Sequence, residues 1–342
     1  IYIAPVDSIG PAHARWRPVA AVGDDVTSVS VHGNDLYLLT FKDASHYMIV
    51  RTDARHPDLA TAVTVVPESG AIIQYMSRAE DALYVQVLDG GIARVMRVTW
   101  GPHPTVEWVA DPFPGSLSVS TDPGVAGALV YPWSPISLGY IGAYDPATKR
   151  ISDTHLQPAG PYDHPSTLAS VEVKVTSYDG TLVPLTIVYP TKLKLDGSHP
   201  ALLTGYGAYG YPSEAGYGPT QLAIYERGAV QATCHVRGGG EYGEAWHLAG
   251  KKLTKPNTWK DFIACAEYLI AKGYTSPAHL AGESGSAGGI LIGRAIEERP
   301  DLFAAAVADV PAADMLRQET TANGVPNIGE FGSTATEDGF RG

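Results

Sequence analysis

From residue 1 to about residue 165, apolar and polar residues alternate in short runs broken by Gly, Asp and Pro, and no 3.6-residue apolar stripe is sustained. Period-2 alternation sends successive side chains to opposite faces of a strand, so this half of the chain is predicted to be β structure. The runs also recur. VTSVSV, IIQYMS and LSVSTD begin at residues 26, 72 and 117, and each is followed by a second apolar run, DLYLLT, ALYVQV and ALVYPW respectively. A repeat of about 45 residues that holds several strands is the pattern of β-propeller blades, which bury their sheet faces only against neighbouring blades. Three repeats are fewer than the four to eight blades of a closed ring. The expectation is therefore a partial propeller over residues 1–165, with the first 25 residues belonging to a preceding blade or more blades lying upstream. A β-sandwich with accidental spacing is the competing reading.

The pattern changes after Val171. VEVKVTSYDGTLVPLTIVYP reads as two strands around a Tyr178-Asp179-Gly180 turn. ALLTGYG and GAVQATCHVRGGG each read as a strand running into a glycine-rich loop. A helix is expected from about Thr258 to Lys272, with Thr258 and Asp261 as its N-terminal cap, Phe262, Ala266, Leu269 and Ile270 on its apolar face, and Gly273 as its stop. Strands alternating with helices predict an α/β domain over residues 166–342.

Within that domain, YTSPAHLAGESGSAGGILIGRAIEERPDLFAAAVADV parses as strand, sharp turn, helix ended by Pro300, and strand. This is the setting of a nucleophile elbow, where a serine sits in a strained turn, its close neighbours are small, and the following helix directs its N-terminus at developing negative charge. Two serines compete. Ser286 has Ser284 two residues before it and Gly288 two after, with Gly289 next, whereas Ser284 has Gly282 before it and Ser286 after. Ser286 is favoured because glycine after the nucleophile lets the helix pass close to the strand.

Composition narrows the chemistry. Twenty-four Lys and Arg against 36 Asp and Glu give a formal charge of −12, and no basic stripe is present to track a phosphate backbone. Arg237 and the glycines after it lack the Lys-Ser/Thr ending of a phosphate-binding loop. Cys234 and Cys265 have no CxxC or Cys/His spacing, so neither a metal nor a cofactor is called for; buried free thiols are expected, with a disulfide left open. No run approaches the roughly 18 apolar residues of a membrane helix. The start, IYIAPVDSIG, shows no leader, although an upstream signal peptide would leave no trace. Localisation and oligomeric state stay open.

LLTGYGAYG (202–210), VRGGGEYGEAWHLAG (236–250), DF…AEYLIAKGYTSP (261–277), SGSAGG (284–289) and RPDLFAAAVADVPAADML (299–316) resemble, in order and spacing, the hydrolase domain of prolyl oligopeptidases over about residues 170–332. The resemblance implies a propeller followed by an α/β-hydrolase domain, a serine peptidase activity on short peptides, and an acyl-enzyme formed on Ser286. It implies oxyanion donors in the backbone N–H of Ala287 and the hydroxyl of Tyr206, and substrate contacts at Tyr209 and Asn327.

The sequence departs from the family pattern in two respects. Hydrolase triads of this type run Ser, Asp or Glu, then His, yet no histidine follows His279; Asp309, Asp314 and Asp338 are the nominal acids. His235, His247 and His279 read as surface or hydrogen-bonded core residues rather than as the base. The chain is therefore expected to be a piece truncated before its acid and base, and inactive as it stands. Second, Asn327 stands where proline-specific members place a stacking tryptophan, and Glu330 is the only acid near a pocket for basic residues, so neither specificity is implied. An esterase or acylaminoacyl-peptidase-like activity of the same serine, and a non-catalytic propeller interaction module, are the alternatives.

Overall fold

The computed structural model describes residues 1–10, 14–89, 91–110 and 113–341. They form two compact units, Ile1–Pro132 with Gly139–Pro158, and Trp133–Leu138 with Ala159–Gly342.

The first unit opens on a short pairing of β1 (Tyr2–Ile3) with β2 (Arg17–Pro18). Three four-stranded sheets follow, each made of strands consecutive in the chain. They are β3 (Val26–His32), β4 (Asp35–Thr40), β5 (Met48–Asp53) and β6 (Val63–Val66); β7 (Ile72–Arg78), β8 (Ala82–Asp89), β9 (Ile92–Thr99) and β10 (Val106–Trp108); and β11 (Ser116–Ser120), β12 (Ala128–Trp133), β13 (Gly142–Asp145) and β14 (Arg150–Asp153). The three periodic runs thus lie in the first strands of successive sheets, and the second runs lie in the second strands.

Sheet stacking explains why ALYVQV is apolar almost throughout instead of alternating. Ala82–Leu88 are all buried. On one face, Leu83, Val85 and Val87 pack with Tyr37, Leu39 and Ile49 of the preceding sheet. On the other, Ala82 and Tyr84 pack with Val119, Val130 and Tyr144 of the following one. A strand covered on both sides loses the polar half of its period.

The second unit is built on a six-stranded sheet in the order β15-β16-β18-β17-β19-β20. β15 (Leu168–Thr176) and β16 (Leu182–Pro190) form the hairpin expected around Tyr178-Asp179-Gly180, in register from Leu168↔Pro190 to Thr176↔Leu182. β17 (Ala201–Thr204), β18 (Val230–Cys234), β19 (Leu280–Gly285) and β20 (Ala305–Asp309) are mutually parallel, and β18 joins them to the hairpin antiparallel to β16. Between β17 and β18 lies α1 (Leu222–Tyr225), between β18 and β19 lie α2 (Glu244–Leu248) and α3 (Pro256–Ala271), and α4 (Gly289–Glu298) connects β19 to β20. Short helices α5 (Ile328–Phe331) and α6 (Glu337–Arg341) follow. Among the described residues no helix is long and apolar enough to cross a membrane.

Two local expectations are corrected. α3 starts at Pro256, at a position where proline's missing N–H costs nothing, and it has no side-chain cap. The Thr258 hydroxyl instead donates to the carbonyl of Arg237, and Asp261 is fully buried in an ion pair with Arg237. Cys234, at the end of β18, and Cys265, on α3, are not free thiols but a disulfide. Phe262, Ala266 and Leu269 do pack into the core, and Gly273, at φ 75°, follows the helix end.

Candidate active site

The strand order sets where a site can form. From β17 the chain crosses to β18 on one side, and from β19 it crosses to β20 on the other, while β17 and β19 are neighbours. Connections that diverge from adjacent parallel strands leave a crevice at the carboxyl ends of those strands. Gly205 and Tyr206 follow β17, and Ser286 follows β19.

Ser286 has φ 53°, the left-handed region that costs a non-glycine residue roughly 1–2 kcal/mol. It stands between the last strand residue, Gly285, and the helical turn Ser286–Gly288 that runs into α4. Its side chain is exposed, whereas Ser284 and Ala287 are buried. The two serines, two apart and so on one face of a continuous strand, diverge because β19 ends at Gly285 and Ser286 turns into the left-handed region. Ser284 Oγ donates to the Gly205 carbonyl at 2.6 Å, tying the end of β19 to the end of β17. A Cβ on Gly288 would lie 1.9 Å from Ser284 Oγ, and one on Gly289 would lie 2.4 Å from Cβ of Pro311, so both glycines are demanded by close approach. The Ser286 carbonyl accepts the Ala312 N–H at 2.7 Å, which fixes the turn against the segment after β20.

The Tyr206 phenol lies close enough to the Ser286 side chain for the two to interact. Burial pushes its phenol pKa up, and the neighbouring Ser286 hydroxyl partly opposes this, so the hydroxyl stays protonated and able to donate. The Ala287 N–H lies in the first turn of the helix, where backbone donors have no intrahelical acceptor. A phenol and a backbone amide beside one serine hydroxyl can hold an oxyanion formed on an atom bonded to that oxygen.

Tyr209 and Asn327 are brought together, with the Tyr209 hydroxyl donating to Asn327 Oδ1 at 2.9 Å. Burial, with Tyr206 and Glu330 nearby, pushes the Tyr209 pKa up to about 12. Glu330 is not free to receive a cationic substrate side chain. It is buried, Oε1 accepts the Tyr209 N–H at 2.8 Å, and Oε2 lies 2.8 Å from His247 Nε2 and 3.8 Å from Lys251 Nζ. Burial opposes charge on both Glu330 and His247. The His247 and Tyr209 N–H bonds nevertheless draw the Glu330 pKa down, and the bonds to Glu244 and Glu330 draw the His247 pKa up. Glu241 and Glu244 pair with histidines, at 3.7 Å to His235 and 3.2 Å to His247.

His235, His247 and His279 each have partners other than the serine. His279 precedes β19, at the far end of a six-residue strand from Ser286, which spans about 20 Å; its ring meets Ser276 Oγ at 3.0 Å. His235 bonds Thr186 at 2.8 Å, and His247 is engaged by its two glutamates. Of the nominal acids, Asp309 ends β20, Asp314 pairs with Arg317 at 2.9 Å, and Asp338 lines a cavity of about 300 Å³ with Lys252, Ile328 and Phe331. Among the described residues no group of three or more His, Cys, Asp or Glu could hold a metal ion.

Sequence reasoning missed Lys255. Its ammonium is buried, donates to the Gly207 carbonyl and lies 5.6 Å over the Phe331 ring. Burial holds its pKa down at about 8. Nothing in the run KKLTK distinguishes this lysine from its exposed neighbours. Glu244 and His247, three apart in GEAWH, did carry a helical-face signal.

Residues 217–340 match the prolyl oligopeptidase family. Over 87% of its length the chain is 31% identical to the prolyl endopeptidase of Elizabethkingia meningoseptica, of which it covers 42%. It superposes with a TM-score of 0.87 on a solved prolyl endopeptidase at 31% identity, the match covering 97% of this chain and 49% of that one. It also superposes, with the same score, on oligopeptidase B from Trypanosoma brucei carrying covalently bound antipain, at 28% identity and with the same coverages. The chain spans about half the length, or less, of these relatives.

Proposed function

Residues 217–340 belong to the prolyl oligopeptidase family of serine peptidases, and on that premise we propose that this chain carries the nucleophile and oxyanion site of an enzyme that cleaves short peptides. The observation that carries the reading is Ser286 itself, held at φ 53° on a strand-to-helix turn with the Tyr206 phenol beside it. Ser286 Oγ attacks the scissile carbonyl carbon, its proton passing to a general base. The carbonyl oxygen, now anionic, receives hydrogen bonds from Tyr206 and the Ala287 N–H. As the tetrahedral centre collapses, the C–N bond breaks, the amine leaves with the proton, and an ester remains on Ser286. Water attacks that ester by the same path in reverse order, releasing the acid and restoring the serine.

Residues 1–165 are read as part of a β-propeller, supported by the stacking of three sequential sheets, and residues 166–342 as part of an α/β-hydrolase domain, supported by the mixed sheet and its elbow. Tyr209 and Asn327, bonded to each other, would form one wall of the substrate pocket.

The base is the part this sequence does not supply. No histidine follows His279, and His235, His247 and His279 are bonded to other groups. The parallel strand β20 is moreover exposed along all five residues, although strands of parallel sheets are ordinarily covered. Both features support a nucleophile whose partners come from outside residues 1–342. The 342-residue polypeptide is accordingly expected to label with a fluorophosphonate no faster than its Ser286→Ala variant. A longer parent chain should label at Ser286, and Tyr206→Phe should slow that labelling by roughly a hundredfold. Stoichiometric labelling of the 342-residue chain, abolished by substituting His235, His247 or His279, would place the base inside it and overturn this reading.

A further inference from the structure

The Tyr206 hydroxyl can serve Ser286 only if the loop that carries it holds its shape, and that loop is poorly suited to do so alone. Gly207, Tyr209 and Gly210 all adopt positive φ, at 69°, 58° and 66°. Glycine accepts this conformation, but Tyr209 does not without support.

Support comes from below and from a segment distant in sequence. On the underside a Cβ on Gly207 would meet Thr258 Cγ2 at 2.4 Å and Val236 Cγ2 at 2.6 Å, and the Gly210 N–H donates to the Gly238 carbonyl at 3.1 Å. On the other side stand groups from 325–331. Glu330 Oε1 takes the Tyr209 N–H, Asn327 Oδ1 takes the Tyr209 hydroxyl, and the Phe331 ring meets the Tyr209 ring edge-on at 5.7 Å. Glu330 is itself fixed through Oε2 by His247, whose other nitrogen lies 3.2 Å from Glu244. Lys255 holds the Gly207 carbonyl while lying over the Phe331 ring.

We propose that the turn carrying Asn327, Glu330 and Phe331 is a latch on the Gly205–Gly210 loop, and that Glu330, anchored on His247, is a positioning residue that sets the Tyr206 hydroxyl against Ser286. The proposal rests on the reading of Tyr206 as an oxyanion donor. Glu330 touches neither Ser286 nor Tyr206 by hydrogen bond. Its effect passes through the Tyr209 amide, three residues along the same turn. The arrangement is economical in physical terms, because one buried carboxylate satisfies a backbone donor in a strained turn and a histidine on another helix at once. Undocking the latch would strand the carboxylate and release Tyr209 together.

The test reads Tyr206 directly. The full 342-residue chain is prepared with 3-fluorotyrosine at position 206, and its fluorine resonance is followed by NMR. The unsubstituted chain is expected to give one sharp resonance. Glu330→Ala should broaden or split it, and Glu330→Gln, which keeps an acceptor for the Tyr209 N–H, should restore a single line. Asn327→Ala, at a half-buried position, provides a second variant should Glu330→Ala fail to fold, and it should introduce a second resonance. Ser286→Ala should shift the line without splitting it. An unaltered resonance in folded Glu330→Ala, or in Asn327→Ala, overturns the latch. A resonance that Ser286→Ala leaves unmoved overturns the Tyr206–Ser286 contact instead, so the two failures are distinguishable.

Discussion

A lysine with 6% of its surface exposed and a backbone carbonyl as its hydrogen-bond acceptor is a costly residue, and its cost can be measured. Burial brings the Lys255 pKa to about 8 from 10.5, with Glu330 opposing only in part. Below pH 8 the ammonium is charged in both folded and unfolded chains, and the folded state carries the desolvation penalty. Between about pH 8 and 10.5 the unfolded chain still binds the proton that the folded chain has lost, so stability rises with pH. The difference in unfolding free energy between the natural chain and Lys255→Met should therefore move in favour of the natural chain across that window, by up to roughly 3 kcal/mol. Urea titrations at pH 7 and pH 10 check this; a difference that is flat with pH would mean that Lys255 is solvated. The partners of Lys255 and Glu330 lie 48 and 121 residues away along the chain, which is why Lys255 could not be singled out from its local sequence and Glu330 was read as a pocket acid rather than as a partner of Tyr209. Ser286 was legible for the opposite reason. Its turn is dictated by small residues within three positions, and local sterics are what a sequence displays.

Among the elements, α3 shows how a correct local pattern can be given a different use by tertiary structure. Thr258 and Asp261 have the spacing of a helix cap, yet Asp261 binds Arg237 through three bonds, from its backbone N–H at 3.0 Å, Nε at 2.9 Å and Nη2 at 2.7 Å, and also accepts Ser177 Oγ at 2.6 Å. α3, the loop after β18 and the β15–β16 hairpin are thereby joined at one carboxylate. Arg237 reaches on to Asp179 at 2.6 Å, and that bond brings the Asp179 pKa down to about 2. The two acids should respond very differently to neutralisation. Asp261→Asn leaves a buried guanidinium with only the exposed Asp179 as counter-charge and is expected to cost about 3–5 kcal/mol. Asp179→Asn, at the exposed hairpin turn, should cost about 1 kcal/mol or less. Denaturant midpoints of the two variants decide the matter, and equal losses would show that the network is not organised around Asp261. The hairpin and the strand–turn–helix of the elbow were legible because their periods and glycines are local. The disulfide was not, because its cysteines meet only once β18 and α3 pack together.

At the scale of the whole chain, the two units are stabilised on different plans. The second unit has one large core, in which the sheet hairpin, the parallel strands, α3 and α4 all share buried residues. The first has separate apolar layers between successive sheets, and among the described residues the middle one is the four-stranded sheet with another four-stranded sheet packed on each face. Such a stack behaves as a short linear array, in which each member's stability is its own plus what its immediate neighbours lend. Amide exchange should then be graded rather than uniform. β8 should hold its protons longest, while β14, where three of four residues are exposed, should release them first. Hydrogen-exchange mass spectrometry on the natural chain reads this directly, and equal protection of β8 and β14 would mean that the sheets open as one block. The layering also makes the order of loss asymmetric: a weakened third sheet can fray and leave the first two joined, whereas a weakened middle sheet takes its neighbours' shared faces with it.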